Sequence, residues 1–451
     1  MEKIFGYIDQ NMNRFLEELF VLIRQPSISA RWEGVEECSR LLAGMMEKIG
    51  IQTRILPMGG KRNPPLVYGE LLNPQARRTL LIYGHFDVQP PEPLELWDSP
   101  PFEPTIRNGR IYARGSADNK GQFFAHLKAL EAVRQIKGSL PVNVKFLLDP
   151  EEEVGSPSLM EFVGRNRQIF AADMALNSDG PMDPSGRPRL SFGNRGVLYV
   201  EVNAQGANRD LHSGNFGGPI PNPAWRLVEF LSTLRRADGS VAIAGFYDGI
   251  VPPTPAEKEM MARIPFDEKE FKAKYGLERF TDPQEVPYME KIMFRPTLNI
   301  AGFTSGYGGE GSKTVLPCKA KLKMDMRLVV NQDPDDIYRK FLAHAKKHGF
   351  DDLDFQMLNY YHPSRTPVDH PMAPKFFEAI RQGFEQEPVQ IPAGGGSFPG
   401  AAIRNVLQIP ILSVPYGNAD ENNHAPNENL SLDCFRKGIR TTASLFFKLA
   451  E

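Results

Sequence analysis

Short apolar runs alternate with helical patterns along this chain, and the alternation constrains the fold more than any other feature. The runs at residues 79–83, 142–148 and 173–176 are typical of buried strands. Residues 122–136, between the first two runs, carry apolar side chains at helical spacing. Strand, helix, strand in this order predicts an α/β fold with a mostly parallel sheet and helices on both faces.

The middle of the chain follows a different pattern. Its order is β-α-β-β-α-β, the split βαβ arrangement of a ferredoxin-like α+β unit. The predicted elements are strands at 197–204, 297–301, 320–330 and 353–361 and helices at 223–235 and 335–348. Residues 237–296, rich in Pro, Glu and Lys, are predicted to be an insertion within this unit.

The two ends of the chain are predicted to form one domain. Two helices are expected within the first 50 residues, and the strand–helix pattern resumes with a helix near 374–385 and a strand at 411–414. A chain of 451 residues is too long for one hydrophobic core. We therefore predict a discontinuous α/β domain, residues 1–195 and 369–451, and an inserted domain, residues 196–368.

Charge and composition exclude several classes of protein. Lys and Arg total 53 against 55 for Asp and Glu, so the basic excess expected of a nucleic-acid-binding protein is missing. Cys38, Cys318 and Cys434 are too few and too far apart for a disulfide framework. The acidic N-terminus does not fit a secretory signal, and uncharged stretches are short and broken by Gly or Pro. We expect a cytoplasmic protein without a membrane or nucleic-acid partner.

Five short segments are predicted to place His, Asp or Glu just past the C-terminal end of a strand. Ligands bind at the carboxyl edge of such a sheet, but acidic side chains gathered there repel one another unless cations offset their charge. Two histidines with several carboxylates suit zinc or manganese, whereas metals that prefer thiolates lack ligands here. The segments are GHFD (84–87), SADNKG (116–121), EEEVGS (151–156), NSDG (177–180) and NNHAP (422–426).

Each segment taken alone has a structural explanation. A histidine after a strand is often a capping or core residue, and a run of glutamates is usually a solvated loop. Asp118 and Asp179 lie in turn-like sequences, where they could cap a helix or stabilise a turn. The common placement of five such segments favours a shared site over these alternatives.

Nine motifs in a fixed order resemble those of the carnosinase-type dinuclear metallodipeptidases. That family lies within the zinc peptidases that include aminoacylases and glutamate carboxypeptidases. The resemblance implies a zinc-peptidase-type α/β domain with an inserted lid and dimerisation domain. The motifs are GHFDVQP (84–90), WDSPPFEP (97–104), ARGSADNKG (113–121), EEEVGS (151–156), RDLHSG (209–214), GSKTVLP (311–317), MRLV (326–329), GGGSFP (394–399) and the late histidine at 424.

The resemblance implies two divalent metal ions per subunit, zinc with manganese as the alternative. It assigns His85 and Asp179 to one metal, Glu153 and His424 to the other, and Asp118 to both as a bridge. It also implies a cis peptide bond after Asp118.

Two further roles follow from the resemblance. Asp87 would orient the His85 ring, and Glu152 would be the general base. Counting back from Gly155 assigns the metal ligand to Glu153 and the base to Glu152, and leaves Glu151 outside the site.

The implied reaction is metal-dependent hydrolysis of peptide bonds in dipeptides or short peptides. His212 would donate a hydrogen bond to the oxyanion in the partner's site of a homodimer; its alternative is a packed loop histidine. Arg327 would bind the substrate carboxylate, unless it forms an ion pair within its sheet. Thr314, Gly396, Ser397 and His362 are further candidates for contacts with the substrate.

Other interpretations remain open from sequence. A deacylase acting on N-acyl amino acids would share most of the metal ligands. A non-catalytic scaffold would be expected to lose Glu152 or a ligand, and neither is lost. His344 and His348 have the spacing of a helical zinc site but lack its glutamate, so we predict a solvated helix face.

Overall fold

The apolar runs of the sequence form the inner strands of a large mixed sheet, and a second, smaller sheet is built from the middle of the chain. The structure is a computed structural model that describes residues 1–60, 62–280 and 286–451. Its α-helices are α1 (Glu2–Gln10), α2 (Met12–Arg24), α3 (Val35–Lys48), α4 (Lys120–Lys137), α5 (Leu159–Arg165), α6 (Arg167–Phe170), α7 (Ser213–Phe216), α8 (Pro223–Thr233), α9 (Pro255–Ala262), α10 (Glu268–Tyr275), α11 (Tyr288–Phe294), α12 (Pro334–Lys347), α13 (Ala373–Phe384) and α14 (Leu432–Ala450).

The strands are numbered in chain order. They are β1 (Gln52–Pro57), β2 (Pro65–Leu71), β3 (Thr79–His85), β4 (Thr105–Arg107), β5 (Arg110–Tyr112), β6 (Asn143–Asp149), β7 (Met174–Asn177), β8 (Arg189–Ser191), β9 (Gly193–Asn194), β10 (Gly196–Gln205), β11 (Leu211–His212), β12 (Thr297–Ser305), β13 (Val315–Leu316), β14 (Lys319–Leu328), β15 (Asp354–Tyr361), β16 (Ser364–Arg365), β17 (Val389–Ile391), β18 (Ile411–Ser413) and β19 (Asn429–Ser431).

The large sheet has the order β1-β2-β6-β3-β7-β18-β8-β17. Its centre, β6-β3-β7-β18, is parallel, which confirms the predicted mostly parallel sheet. β2 pairs antiparallel with β6, and β1 pairs antiparallel with β2; sequence analysis predicted neither strand. β1 is largely exposed, whereas β2 is mostly buried but has Pro65, Gly69 and Glu70 in place of an uninterrupted apolar run.

Alternating side chains of β3 show why its sequence is apolar throughout. Leu80 and Ile82 belong to a core formed with α1 to α4, α13 and α14, whereas Leu81 and Tyr83 pack in a separate core with α5. All four are at most 1% exposed. Because successive strand residues point to opposite faces, helices on both faces require apolar residues at every position.

The smaller sheet has the order β12-β14-β10-β15, with every pairing antiparallel. Helices α8 and α12 cover one face through a core that includes Phe230 and Phe341, whose rings meet edge to face at 5.6 Å. This order and the sequence of elements match the predicted split βαβ arrangement. Residues alternate along β14, so Leu322, Met324 and Met326 are buried.

The segment 237–296 lies between α8 and β12, as predicted, and contains α9, α10 and α11; its residues 281–285 lie outside the described residues. Its apolar residues pack against β17, the edge strand of the large sheet. The cluster comprises Met261, Ile264, Met293, Phe294, Val389, Ile391 and Ala393.

The chain enters and leaves the inserted region at neighbouring points. β9 pairs with β16, so Asn194 lies opposite Ser364. These strands flank the predicted division at 195/196 and 368/369. The division itself stays a prediction.

Two sequence predictions about helices were wrong. The N-terminal region contains three helices rather than two, because α1 buries Ile4 and Ile8 at helical spacing and is separated from α2 only by Asn11. His344 does not lie on a solvated face: it is 6% exposed, and its Nε2 lies 3.0 Å from the Thr233 hydroxyl. Neither the break between α1 and α2 nor the burial of His344 produces a strong apolar pattern within a short stretch of sequence.

In the part of the chain that the structure describes, no helix has both the length and the apolar composition of a membrane span.

Candidate dinuclear metal centre

Three parallel strands bring acidic and imidazole side chains to one edge of the large sheet. β3 ends at His85, β6 is followed by Glu151 to Glu153, and β7 is followed by Asp179. β3 lies between β6 and β7 and pairs in parallel with both. Their carboxyl ends therefore meet at the same edge, where the sequence predicted the site.

Asp118 reaches this edge from the loop before α4. Glu428 holds that loop: its Oε1 accepts hydrogen bonds from the backbone N–H of Ala117 and Asp118, both at 2.9 Å, and its Oε2 accepts one from Gly115 at 3.0 Å. Arg114 neutralises this buried carboxylate through a 2.8 Å ion pair. Sequence analysis did not identify Glu428. The one sequence feature that points to it is its position four residues after His424.

The start of α4 packs very closely against the same loop. A Cβ atom on Gly121 would lie 1.9 Å from the Ser116 carbonyl oxygen, so no other residue fits there. The positive end of the α4 dipole lies beside Asp118 and favours its negative charge.

The predicted ligands form two groups that share Asp118. His85 Nε2 lies 3.1 Å from Asp118 Oδ1 and 3.8 Å from Asp179 Oδ1. His424 Nε2 lies 3.2 Å from Asp118 Oδ2 and 3.1 Å from Glu153 Oε2. Each group has three ligand atoms within 4.8 Å of one another. Because the two oxygens of Asp118 face different histidines, the arrangement fits two metal ions bridged by one carboxylate.

The His85 ring is oriented with its Nε2 towards the site. The Asp87 carbonyl oxygen, 3.1 Å away, accepts a hydrogen bond from Nδ1–H, and Asp87 Oδ1 lies 3.4 Å from the same nitrogen. Nε2 is buried and has no hydrogen-bond partner among the described residues. A neutral imidazole with its lone pair at Nε2 is the form that binds a metal.

The three successive glutamates have separate environments. Asp87 accepts hydrogen bonds from the backbone N–H of Glu152 at 3.1 Å and Glu153 at 3.0 Å. The Glu151 carboxylate turns away and accepts one from the Ser158 N–H at 2.7 Å. Glu152 Oε2 lies 4.0 Å from His85 Nε2, beside the ligands rather than among them. This geometry agrees with the assignment obtained by counting back from Gly155.

The peptide bond between Asp118 and Asn119 is cis, which confirms the prediction. The Asn119 side chain joins the ends of two strands, β3 and β7. Its Nδ2 donates to the Ser178 carbonyl oxygen at 3.1 Å, and its Oδ1 accepts from the His85 N–H at 3.4 Å.

The pKa values of Glu152, Glu153 and His424 are shifted in the direction that binds protons, so the site favours positive charge. Burial raises the pKa of Glu152 well above its usual value; the His85 ring opposes this effect and the neighbouring acids reinforce it. Burial and Asp118 together raise the pKa of Glu153 to about 7, against the opposing effect of His424. Hydrogen bonds to Asp118 and Glu153 raise the pKa of His424 to about 11. Without cations, these groups retain protons instead.

The predicted substrate residues Arg327 and Ser397 lie together. Arg327 Nη1 donates to Ser397 Oγ at 3.2 Å, while Nε lies 3.4 Å from Asp325 Oδ2. The guanidinium thus takes part in an ion pair within its sheet and also reaches the loop that contains Gly396. Arg195, which sequence analysis missed, donates to the Gly395 carbonyl oxygen of this loop at 3.2 Å.

His212 and Thr314 form a separate, exposed pair. Gly214 N–H donates to His212 Nδ1 at 3.0 Å, so the neutral ring carries its proton on Nε2, which lies 3.2 Å from Thr314 Oγ1. In the described parts of the chain, no hydrogen bond or ion pair joins this pair to the metal-site group. His362 also stands apart, with Nδ1 3.8 Å from Asp333 Oδ2.

Tyr361 contacts the metal-site group and was missed from sequence. Its hydroxyl donates to the Glu152 carbonyl oxygen at 2.6 Å and lies 3.2 Å from Glu152 Oε1. Nothing in the sequence around it distinguishes it from the adjacent Tyr360.

The sequence profile of peptidase family M20/M25/M40 matches residues 81–448. The chain belongs to this family. It is 29% identical to the Beta-Ala-His dipeptidase of Rattus norvegicus, over all of this chain and 96% of that protein. It is also 29% identical to the Cys-Gly metallodipeptidase of Schizosaccharomyces pombe, over all of this chain and 98% of that protein.

Solved structures of the M20 family agree with this membership. An M20 family metallo-carboxypeptidase from Sulfolobus solfataricus superposes with a TM-score of 0.89 at 36% identity, over 97% of this chain and 99% of that one. The predicted zinc-peptidase-type fold and the prediction of a metal-dependent peptidase are confirmed.

Replacing Asp118 with Asn should remove metal from both positions. Asn keeps the shape but lacks the negative charge that both ligand groups share. We expect bound metal to fall from about two ions per chain to fewer than about one, measured by elemental analysis after dialysis.

Asp173→Asn is the matched control. Its carboxylate accepts a hydrogen bond from the Thr79 N–H at the opposite edge of the sheet, so metal content should not change. Full metal occupancy in Asp118→Asn would contradict the bridging assignment.

Proposed function

We propose that this M20 family member hydrolyses dipeptides or short peptides, with Glu152 as general base beside two metal ions. The observation that carries this proposal is the position of Glu152, whose Oε2 lies 4.0 Å from His85 Nε2 and which belongs to neither ligand group. The names of the rat and fission yeast relatives give dipeptide substrates, which supports the same class here.

His85 and Asp179 would hold one metal ion, Glu153 and His424 the other, and Asp118 both. When bound, the pair supplies Lewis acidity and lowers the pKa of a shared water. The two imidazoles and three carboxylates suit zinc, with manganese as the alternative.

Glu152 would take a proton from the attacking water on its carboxylate and deliver it to the leaving amine. Burial and the neighbouring acids raise the pKa of Glu152, which makes its carboxylate a stronger proton acceptor. Asp87 would keep the His85 ring oriented and, through two backbone hydrogen bonds, hold Glu152 and Glu153 in place.

Arg327 would bind the free carboxylate at the substrate's C-terminus, with Ser397 and Gly396 beside it and His362 and Thr314 as further contacts. Asp325 balances one positive charge, but Arg195 and Arg327 together supply two. Burial, together with the positive charge of Arg327, lowers the pKa of Arg195 to about 10. An anionic group would relieve their repulsion.

His212 would complete the site of a second subunit in a homodimer. Its protonated Nε2 is a suitable oxyanion donor, yet it is exposed and separate from the metal-site group of its own chain. The inserted region also exposes large apolar side chains on α8 and on the edge strand β12, including Trp225 at 66% and Ile300 at 50%. An unpaired edge and apolar side chains are typical of a surface that another chain covers.

A cytoplasmic location is part of the same proposal. Cys38, Cys318 and Cys434 are all free, and thiols persist in a reducing compartment. Comparing the turnover of dipeptides with that of N-acyl amino acids separates the peptidase from the alternative deacylase.

Glu152→Gln should lower kcat for a dipeptide by a factor of about 10²–10⁴, because the amide cannot accept the proton. Metal content should remain normal. Turnover is measured by release of the free amino acid, and metal by elemental analysis. The control is Glu151→Gln, which keeps the acceptor for Ser158 N–H and should leave kcat within about twofold. Loss of metal in Glu152→Gln would assign it as a ligand instead.

Arg327→Met should lower kcat/KM for dipeptides with a free carboxylate by about a hundredfold, since a charge-assisted hydrogen bond is lost. The corresponding dipeptide amides, which lack that charge, should change by less than about threefold. Arg339→Met, on the exposed surface of α12, is the control and should affect neither series. An equal loss for acids and amides would remove the carboxylate assignment.

His212→Ala should lower kcat by about 10²–10³, the usual effect of losing an oxyanion donor. In an equal mixture with Glu152→Gln, random exchange of subunits makes half of the dimers mixed. Each mixed dimer has one complete site, so about a quarter of wild-type activity should return. Activity no higher than the mean of the two variants would show that His212 does not act across a dimer.

A further inference from the structure

The inserted sheet meets the metal-site region at the loop that contains the proposed base. Tyr361, the last residue of β15, contacts Glu152 twice through its hydroxyl: at 2.6 Å from the carbonyl oxygen and at 3.2 Å from Oε1. Within the described residues, this is the one hydrogen bond made by the Glu152 carboxylate. The side chain that carries the proposed chemistry is therefore held by a residue of the other sheet.

The large sheet holds the backbone of the same loop. Asp87 accepts the N–H groups of Glu152 and Glu153, and Asp149 accepts the Glu151 N–H at 3.0 Å and the Ser156 hydroxyl at 2.6 Å. These bonds fix where the loop lies. They leave the direction of the Glu152 carboxylate undetermined, because none of them reaches it.

A second contact brings β15 against this loop. Gly155 has a φ of 97°, and a Cβ atom there would lie 2.1 Å from Asn359 Oδ1. Both the left-handed conformation and the closeness of Asn359 exclude a side chain at this position. Two residues of β15 on the same face, Asn359 and Tyr361, therefore lie directly against the loop.

We propose that Tyr361 is a positioning residue for Glu152, through which the inserted sheet sets the direction of the catalytic carboxylate. This inference rests on the proposed function, in which Glu152 is the general base. The phenol has one proton to donate, shared between the carbonyl oxygen and Oε1 of the same residue. Such a shared bond fixes the side chain relative to its own backbone, and a base must lie within hydrogen-bond reach of the proton it takes.

Loss of the Tyr361 hydroxyl should affect the chemical step specifically. Tyr361 contacts Glu152 and, among the residues that the structure describes, makes no hydrogen bond to Arg327 or Ser397, so its hydroxyl should affect kcat rather than substrate binding. Loss of one hydrogen bond to a charged group corresponds to a change of about tenfold in rate.

The first test is Tyr361→Phe, which removes the hydroxyl and keeps the ring. We expect kcat for a dipeptide to fall about tenfold while KM stays within about twofold and metal content is normal. Tyr360→Phe is the matched control: it is the adjacent residue on the opposite face of the strand, 39% exposed, and its loss of a hydroxyl should leave kcat unchanged. An unchanged kcat in Tyr361→Phe, or a loss that follows loss of metal or of thermal stability, would overturn the inference.

The second test combines Tyr361→Phe with Glu152→Gln. If Tyr361 acts through Glu152, the double variant should retain the residual turnover of Glu152→Gln alone, because the group being positioned is already lost. A further tenfold loss would show that Tyr361 acts elsewhere. The two proposals fail separately: normal turnover in Glu152→Gln would refute the role of Glu152, whereas an inactive Glu152→Gln with a normal Tyr361→Phe would refute only the positioning role.

Discussion

Repulsion between buried carboxylates is the constraint on which the rest of this structure depends. Asp87, Asp118, Glu152 and Glu153 meet at one sheet edge, where burial makes each negative charge costly. Burial and Asp118 raise the pKa of Glu153, and hydrogen bonds to Asp118 and Glu153 raise that of His424, so the group favours bound positive charge. Two divalent cations between the paired side chains would offset the negative charge.

The supporting bonds are themselves made by buried carboxylates. Glu428 holds the loop of Asp118, Asp87 holds the loop of Glu152 and Glu153, and Asp149 holds the turn after it. Each accepts backbone N–H groups, and Glu428 is also neutralised by its ion pair with Arg114. The ligands are thereby placed before any metal binds, and this limits the entropy that binding must overcome.

The parts of the fold and of the site that could be predicted are those with a recognisable pattern in a short stretch of sequence. The inner strands and the split βαβ unit were predictable because their apolar residues recur with the period of each element, as in β3 and β14. The grouping of His85, Asp118, Glu153, Asp179 and His424 was predictable because each follows a strand or lies in a motif with a fixed spacing. α1 has apolar residues at helical spacing, but only Asn11 separates it from α2, so no local signal marks the break. The pairing of β1 and β2 and the burial of His344 depend on packing against distant elements.

The sequence by itself determined the types of chemical group and their order: two histidines, the acids around them, and the family to which they belong. Only the tertiary structure decided which group faces which. Glu151, Glu152 and Glu153 are chemically identical, and their separate environments come from Ser158, Tyr361 and His424. Those contacts join residues up to 271 positions apart (424 minus 153). No pattern within a short segment encodes them, because side-chain direction depends on the packing of both sheets.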